Sequence, residues 1–360
     1  MTSEPVPNES VPNESVPKES VPTDHSAAAR RPVIGIVSPG AMGSALGRAW
    51  AAGADSGVTG RPGGDGDRRG AAHAGVGTGA GVAGDGARVV ATGARVVATV
   101  AGRSARTVAL AEGLDLLPDL AAVVAASDLV VSICPPAAAD DVIDAVIAAA
   151  IATGARPLLL DANAVAPAQV RSMAHRAAYA GLDLVDGAVS GGPPVPDGDT
   201  ILYLSGPRAE EVARLGARGL RRRVVGDEAG QASGVKMCTA SIYKGTTALW
   251  AQALQTADAL GVLDPVLDDL REEFPAQVAS AGRRIAVATA KSARFVAEMD
   301  NIALTQGASG ASAELFEGMA AVFRRLAETP LAALSPEEAA AVTDLRDVLA
   351  RLRPTAPPAD

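Results

Sequence analysis

Val33-Ile34-Gly35-Ile36-Val37-Ser38-Pro39-Gly40-Ala41-Met42-Gly43-Ser44-Ala45-Leu46-Gly47 is the stretch that decides the fold. Its first five residues form a continuous apolar run, the pattern of a strand buried on both faces of a parallel sheet. Ser38-Pro39-Gly40 makes a turn, and residues 41–52 carry a helical pattern. A helix that starts straight after such a turn presents backbone N–H groups with no internal partners, at the positive end of its dipole. That arrangement is an anion cradle. Glycine belongs where backbone must reach a phosphate with no Cβ in between. Ser38, Pro39, Gly40, Ala41, Met42 and Gly43 form a variant of G-x-G-x-x-G, with Ser38 at the first glycine. Set between an apolar strand and a helix, this string reads as the pyrophosphate seat of a dinucleotide.

Upstream, Val-Pro-Asn-Glu-Ser at 6–10 repeats at 11–15, and Val-Pro-Lys-Glu-Ser follows at 16–20. Proline every fifth residue blocks helix and sheet, so residues 1–30 read as a disordered tail. Downstream, the sequence is Gly-rich from 53 to about 86 and lacks apolar periodicity, so residues 53–93 read as a flexible insertion. A duplicated heptad follows, Gly-Ala-Arg-Val-Val-Ala-Thr at 86–92 and again at 93–99. One copy can be the second strand. The second is chosen, because Gly102-Arg103-Ser104 follows it closely.

Beyond that point strands at 129–133, 157–160, 182–185 and 200–204 alternate with helices at 138–151 and 167–178. Such alternation defines a parallel sheet covered on both faces. From 229 onward the pattern is helical, over 231–260, 264–273, 276–308, 312–327 and 336–352. The expected class is therefore α/β plus all-α: a Rossmann-type doubly wound domain at 31–228 and a helical domain at 229–352 that opens on a long interdomain helix.

Of the 360 residues, 48% are hydrophobic and only 2% aromatic, which suits a core of Ala, Val, Leu and Ile. A net charge of -9 argues against nucleic-acid binding. No apolar run is long enough to span a membrane. Cys134 and Cys238 form no disulfide framework or metal spacing, so a cytoplasmic protein without a metal is expected. His25, His73 and His175 fall in the tail, the insertion and a surface helix. The Arg218, Arg221, Arg222, Arg223 group reads as a solvated edge strand.

In an NAD site an acidic residue usually closes the second strand and binds the ribose 2′-hydroxyl. Here Arg103 and Ser104 stand there. A guanidinium and a hydroxyl suit a 2′-phosphate, so NADP(H) is expected over NAD(H).

The order of motifs resembles the β-hydroxyacid dehydrogenases, the group of 3-hydroxyisobutyrate and 6-phosphogluconate dehydrogenases. The carriers are Pro-Gly-Ala-Met-Gly at 39–43, Asp186-Gly-Ala-Val-Ser-Gly-Gly192 with Asp197-Gly-Asp-Thr200, and Gly230-Gln-Ala-Ser-Gly-Val-Lys236. Ser-Ile-Cys-Pro-Pro at 132–136, with Glu298-Met299 and Phe316-Glu317-Gly318, looks closer to a branch with a C-terminal domain of unknown function. The resemblance implies hydride transfer between a nicotinamide and a small hydroxy acid or its oxo acid. It makes Lys236 the general acid/base, and desolvation would tune its pKa. Ser190, Gly191 and Gly192 would seat a substrate carboxylate. Asn163 would touch substrate or the nicotinamide ribose, and Cys134, Pro135 and Pro136 would line the cofactor. A homodimer through the long helix is also implied.

Two departures stand out. Position 240, where the family usually has Asn, is Ala, with Tyr243 and Lys244 further along as substitutes. The usual Lys-Asp pair near the cofactor is Glu298-Met299. Both leave the substrate open and suggest that the classical hydroxy acids are not the substrate. Two other readings stand beside the first: an imine reductase on the same scaffold, against which Lys236 argues, or a dinucleotide-binding protein without catalysis, which the missing Asn favours.

Overall fold

A computed structural model describes residues 30–54 and 93–353. The N-terminal repeats, the body of the Gly-rich insertion and the first heptad copy lie outside the described residues.

The described residues form one eight-stranded sheet in the order β3-β2-β1-β4-β5-β6-β7-β8. Its strands are β1 Val33–Ile36, β2 Arg95–Ala98, β3 Asp115–Leu116, β4 Leu129–Ser132, β5 Leu158–Asp161, β6 Leu184–Ser190, β7 Thr200–Ser205 and β8 Leu220–Gly226. Pairing is parallel from β3 through β6, and antiparallel only between β6 and β7. The order reverses at β1, between β2 and β4. Ligands of doubly wound sheets bind beyond the carboxyl ends of the strands at such a switch point. The second heptad copy does supply β2, with Val96 opposite Ile34.

The covering helices are α1 Ala41–Ala52, α2 Ala105–Leu110, α3 Leu120–Ala126, α4 Ala139–Thr153, α5 Pro167–Tyr179 and α6 Ala209–Ala213. Leu46 and Trp50 of α1 pack into one sheet-face core with Ile34, Ile36 and Val131. Each such side chain, taken fully out of water, contributes about 1.5–3 kcal/mol. On the opposite face α4 and α5 bury Ile143, Val146 and Met173 against Val130 and Leu159.

The helical part holds α7 Gln231–Ala259, α8 Leu263–Glu273, α9 Pro275–Thr289, α10 Ser292–Ala308, α11 Glu314–Ala327, α12 Pro336–Ala341 and α13 Leu345–Arg351. Its core of Met237, Leu254, Ile285, Met299 and Phe323 is separate from the sheet cores.

Several elements depart from the sequence reading. The helix expected over 276–308 is two: both halves lie against α7, but α9 packs mainly with α8, α12 and α13, and α10 mainly with α11. One straight rod cannot meet both sets of partners. The chain breaks at Ala290-Lys291, where the Ser292 hydroxyl donates to the Thr289 carbonyl. The helix expected over 336–352 is also two. Ser335 starts α12 with a capping box, and Asp344 caps α13 by accepting from Asp347 N–H at 2.8 Å. β3 is too short and β8 too arginine-rich to show as apolar strands. β8 is the edge strand foreseen for the arginine cluster, but Arg222 is fully buried and not solvated. It donates to the carbonyls of Ala213, Ala217 and Leu220 at 3.3, 3.0 and 2.7 Å. The run expected to end at 185 continues to Ser190, so only Gly191-Gly192 of the quoted loop lies beyond the strand.

Candidate active site

The turn after β1 has the geometry of an anion cradle. Ser44 N–H donates to Gly40 O at 2.9 Å as α1 starts, and the Ser44 hydroxyl ties the turn to Pro39 O at 2.6 Å. The two glycines differ in kind. A Cβ on Gly43 would lie 2.3 Å from Ser38 O, so Gly43 is needed for the turn itself. A Cβ on Gly40 would meet no atom within 4 Å. Gly40 has extended backbone, φ -70° and ψ -168°, which any residue can adopt. Nothing within the chain calls for glycine there, and the open space lies at the helix N-terminus. That is where a pyrophosphate fits. Ala41 is exposed and Met42 half-buried at the same rim.

The next loop, after β2, carries Gly102 at φ +69° and an exposed Arg103. Ser104 caps α2, accepting from Thr107 N–H at 3.3 Å, so its oxygen has a structural duty. No acidic residue lies between Ala98 and Ser104. After β4, Cys134-Pro135-Pro136 forms the third loop. Burial pushes the Cys134 thiol up to about 11, with Asp161 pushing the same way and the Arg103 charge opposing. A thiol held protonated is a poor nucleophile.

Asn163 is placed differently from the expectation. It is 2% exposed, and its amide is committed within the protein. Nδ2 donates to Asp161 Oδ1 at 2.5 Å and to Ser132 Oγ at 3.0 Å, while Oδ1 accepts from Cys134 N–H at 2.6 Å. The side chain locks the ends of β4 and β5 together and fixes the Cys134 loop. Beneath it, Asp161 is fully buried, and burial raises its pKa to about 7.

β6 ends at Ser190, with Gly191 at φ +109°. Gly192 O accepts from the Thr200 hydroxyl at 2.9 Å, and a Cβ on Gly192 would meet nothing within 4 Å. Lys236, on α7, donates from Nζ to Val189 O, the carbonyl next to Ser190. Lys236 and the Ser190 loop are thus brought together. Burial lowers the Lys236 pKa, and the Arg294 charge adds to this.

Asp186 fixes that meeting, a role the sequence reading missed. It is fully buried on β6, and it accepts from Ser205 Oγ, Gly230 N–H, Ser233 N–H and Ser233 Oγ at 3.0, 2.9, 3.0 and 2.6 Å. Gly230 has φ +101°, and a Cβ there would press on Pro167 O at 3.0 Å. The first turn of α7 is therefore held to β6 one turn ahead of Lys236.

The two candidates beyond Ala240 separate. Tyr243 is 65% exposed. Lys244 is mostly buried and pairs with Glu298 of α10, with its ammonium 4.7 Å from the centre of the Phe295 ring. Burial lowers the Lys244 pKa to about 7, and the charges of Lys236, Arg294 and Lys291 push the same way. Contact with the Glu298 carboxylate opposes them and favours the ammonium. Arg294 engages the other Glu298 oxygen at 3.1 Å. α10 is itself tied to the start of α5, since Asn301 accepts from Ala166 N–H at 3.1 Å. Nothing in the local sequence marks Arg294; only the three-dimensional packing brings it in. Among the described residues no group of His, Cys, Asp and Glu could hold a metal. No described helix is long and apolar enough to cross a membrane.

A Rossmann cradle, a lysine-bearing interdomain helix and a helical second domain define a class of nicotinamide-dependent oxidoreductase. Residues 76–218 match the model of the NAD binding domain of 6-phosphogluconate dehydrogenase, and residues 257–326 match a domain of unknown function (DUF1932). These matches give the chain an NAD-binding domain of the 6-phosphogluconate dehydrogenase kind over residues 76–218, in keeping with an NAD(P)-dependent oxidoreductase. The first match begins inside the insertion, so it leaves out the Val33–Gly47 cradle that the sheet places at its switch point. No curated protein matches the chain.

Solved structures share the fold. A conserved hypothetical protein from Sinorhizobium meliloti 1021 is 23% identical with a TM-score of 0.59, covering 90% of this chain and 98% of its own. The 3-hydroxyisobutyrate dehydrogenase of Mycobacterium tuberculosis, with L-serine, is 17% identical at TM-score 0.55, covering 90% and 100%. That of Salmonella typhimurium is 18% identical at 0.54, covering 87% and 99%.

Proposed function

We propose that this protein interconverts a small hydroxy acid and its oxo acid, using NADP(H), with Lys236 as general acid/base. The observation that carries the reading is the docking of Lys236 Nζ at Val189 O, beside the Ser190-Gly191-Gly192 turn. A bound nicotinamide supplies or takes up the hydride. The chain supplies the rest. Backbone N–H groups at Gly191 and Gly192, with the Ser190 hydroxyl, seat the carboxylate. In oxidation, neutral Lys236 Nζ takes the proton that leaves the substrate hydroxyl; in reduction, the ammonium returns it. Burial lowers the pKa of this lysine, which brings its neutral form closer to reach.

The pH dependence has a definite sign. Oxidation needs the amine, so its kcat/KM rises with pH and levels off above the Lys236 pKa, below the ordinary lysine value. Reduction needs the ammonium and falls over the same limb. A panel of oxo acids with NADPH, run against wild type and Lys236→Ala, tests the assignment. Turnover should drop by about 100-fold or more in the variant, within the usual range for an acid/base, while NADPH affinity stays. Turnover confined to cyclic or amine-derived imines would indicate an imine reductase. Tight cofactor binding with no turnover of any substrate would indicate a binding protein.

NADP(H) preference rests on Arg103, exposed after β2, and on the lack of an acidic partner for a 2′-hydroxyl. Arg103→Ala should weaken NADPH by about 10- to 100-fold, the scale of one charge-assisted contact, and leave NADH unchanged. Equal affinity of wild type for the two cofactors would overturn the preference. We also propose a homodimer, supported by apolar side chains exposed along α7.

A further inference from the structure

Four polar side chains line up across the sheet at its carboxyl edge. Ser132 pairs in register with Asp161, Asp161 with Asp186 and Asp186 with Ser205, so the four share one face of β4, β5, β6 and β7. All four are buried. Two of them are carboxyl groups on neighbouring strands, whose backbones lie about 5 Å apart. Like charges that close do not both ionise in a dry place. Their donors decide which one does. Asp186 accepts from four groups. Among the described residues Asp161 accepts from Asn163 alone, through Nδ2 at 2.5 Å and the backbone N–H at 3.4 Å. Burial raises the pKa of both carboxyl groups. The better-served Asp186 keeps the charge, and Asp161 is left to gain and lose a proton at about 7.

The charges that act on Asp161 are both negative, Asp186 from β6 and Asp140 from α4. Asp140 is itself paired with Arg176 of α5 at 2.6 Å. The Cys134 thiol, on the loop after β4, is held protonated, and Arg103 acts on it from the loop after β2. The dinucleotide seat and the proposed acid/base lie on either side of this group. The cradle follows β1, Lys236 docks near the end of β6, and β4 and β5 lie between them in the sheet. Three strand spacings, about 14 Å, separate β1 from β6. A ligand that reaches from the cradle to Lys236 has to cross the carboxyl ends of β4 and β5. Asp161 is the last residue of β5, and Asn163, bonded to it, holds the Cys134 loop at the end of β4. A charge on Asp161 is therefore felt along that crossing.

We propose that Asp161, buried beneath that crossing, sets the preference of the site between oxidised and reduced dinucleotide through the proton it gains and loses. This rests on the dinucleotide binding proposed above. The oxidised nicotinamide ring bears a positive charge and the reduced ring none. Neutral Asp161 does not discriminate between them, and the carboxylate favours the oxidised ring. Preference for the oxidised form thus rises with pH across the titration of Asp161. By linkage, binding of the oxidised form drives the proton off. Asp161 acts at a distance here, as a charge that pH switches on, and not as a catalytic residue.

Binding tests this without turnover. The full chain is titrated by calorimetry with NADP+ and with NADPH, between about pH 6 and about pH 8.5. The ratio of the two dissociation constants cancels what the two forms share, titration of the 2′-phosphate included. In wild type the ratio should move toward the oxidised form by about 10-fold, the scale of one unit charge about 10 Å away in a partly shielded place. Asp161→Asn keeps an oxygen for Asn163 Nδ2 and cannot ionise, so its ratio should stay flat. Lys236 losing its own proton in this window would give a shift of the same sign, so Lys236→Ala is the companion variant and should keep the shift. A proton count needs no variant. Wild type, titrated in buffers of different ionisation enthalpy, should release more protons to NADP+ than to NADPH near neutral pH. A flat ratio or equal proton release in wild type overturns the proposal and leaves dinucleotide binding intact. A shift that survives in Asp161→Asn, or vanishes in Lys236→Ala, overturns it too. If neither form binds at any pH, the dinucleotide reading fails and takes this inference with it.

Discussion

Gly40 and Gly43 lie three residues apart in one turn, yet physics asks different things of them. Gly43 is squeezed by Ser38 O and by the side chains of Ile133 and Ile36, so a methyl group there has nowhere to go. Gly40 faces open space. Gly43→Ala should therefore destabilise the fold by about 1–3 kcal/mol, the usual cost of overpacking, with a matching drop in melting temperature. Gly40→Ala should leave the melting temperature of the free protein within a degree or two, yet weaken the dinucleotide by roughly tenfold or more as the methyl group enters the phosphate space. Thermal melts with and without cofactor separate the two. A Gly40→Ala protein that binds cofactor normally would remove the cradle from the site. The sequence alone marked both glycines as a fingerprint, but only the contacts around each one assign its duty. Asn163 teaches the same lesson. Its place after a strand at the carboxyl edge was legible; the three hydrogen bonds that turn its amide inward were not.

At the scale of elements, α7 carries the proposed acid/base and β6 holds it. Asp186 gathers four donors from β7 and the start of α7, and Val189 takes the Lys236 ammonium three residues later on the same strand. Removing the carboxylate leaves several buried donors without partners, each worth about 1–3 kcal/mol. Asp186→Ala should lose roughly 3–5 kcal/mol of stability by urea melting, near the scale of breaking a buried charged contact. Asp186→Asn keeps an oxygen for the backbone donors and should recover more than half. If the alanine variant melts like wild type, α7 is not held this way. The strand, the glycine-led helix start and the lysine six residues on were all readable in sequence, because each has a local signal. The contact between them is long-range and left none. The same holds for the break between α9 and α10. Apolar periodicity runs straight through it, and the different packing partners of the two halves decide that the chain bends.

For the whole molecule, the long helix leaves an account unsettled. Ile242 and Leu249 lie seven residues apart on one stripe of α7, at 64% and 60% exposure, and Tyr243 beside them is 65% exposed. Leu304 on α10, a helix packed against α7, is 66% exposed. Large apolar side chains scattered singly on a surface need no explanation, but a stripe along a central helix points to a partner surface. A second copy of the chain satisfies it with the same stripe, since a twofold contact is self-complementary. The wild-type protein should sediment as a dimer at micromolar concentration. Ile242→Asp with Leu249→Asp places two charges in that contact and should yield a monomer, with the helical content by circular dichroism unchanged. The site offers a second readout. Lys236 and Lys244 sit on the same helix as the stripe, so the monomer should lose turnover while its cradle, built on β1 and α1, still binds dinucleotide. A wild-type protein that sediments as a monomer would rule the contact out. The unchanged cofactor affinity of a monomeric variant would then show that the two halves of the molecule, sheet and helices, depend on the partner to different degrees.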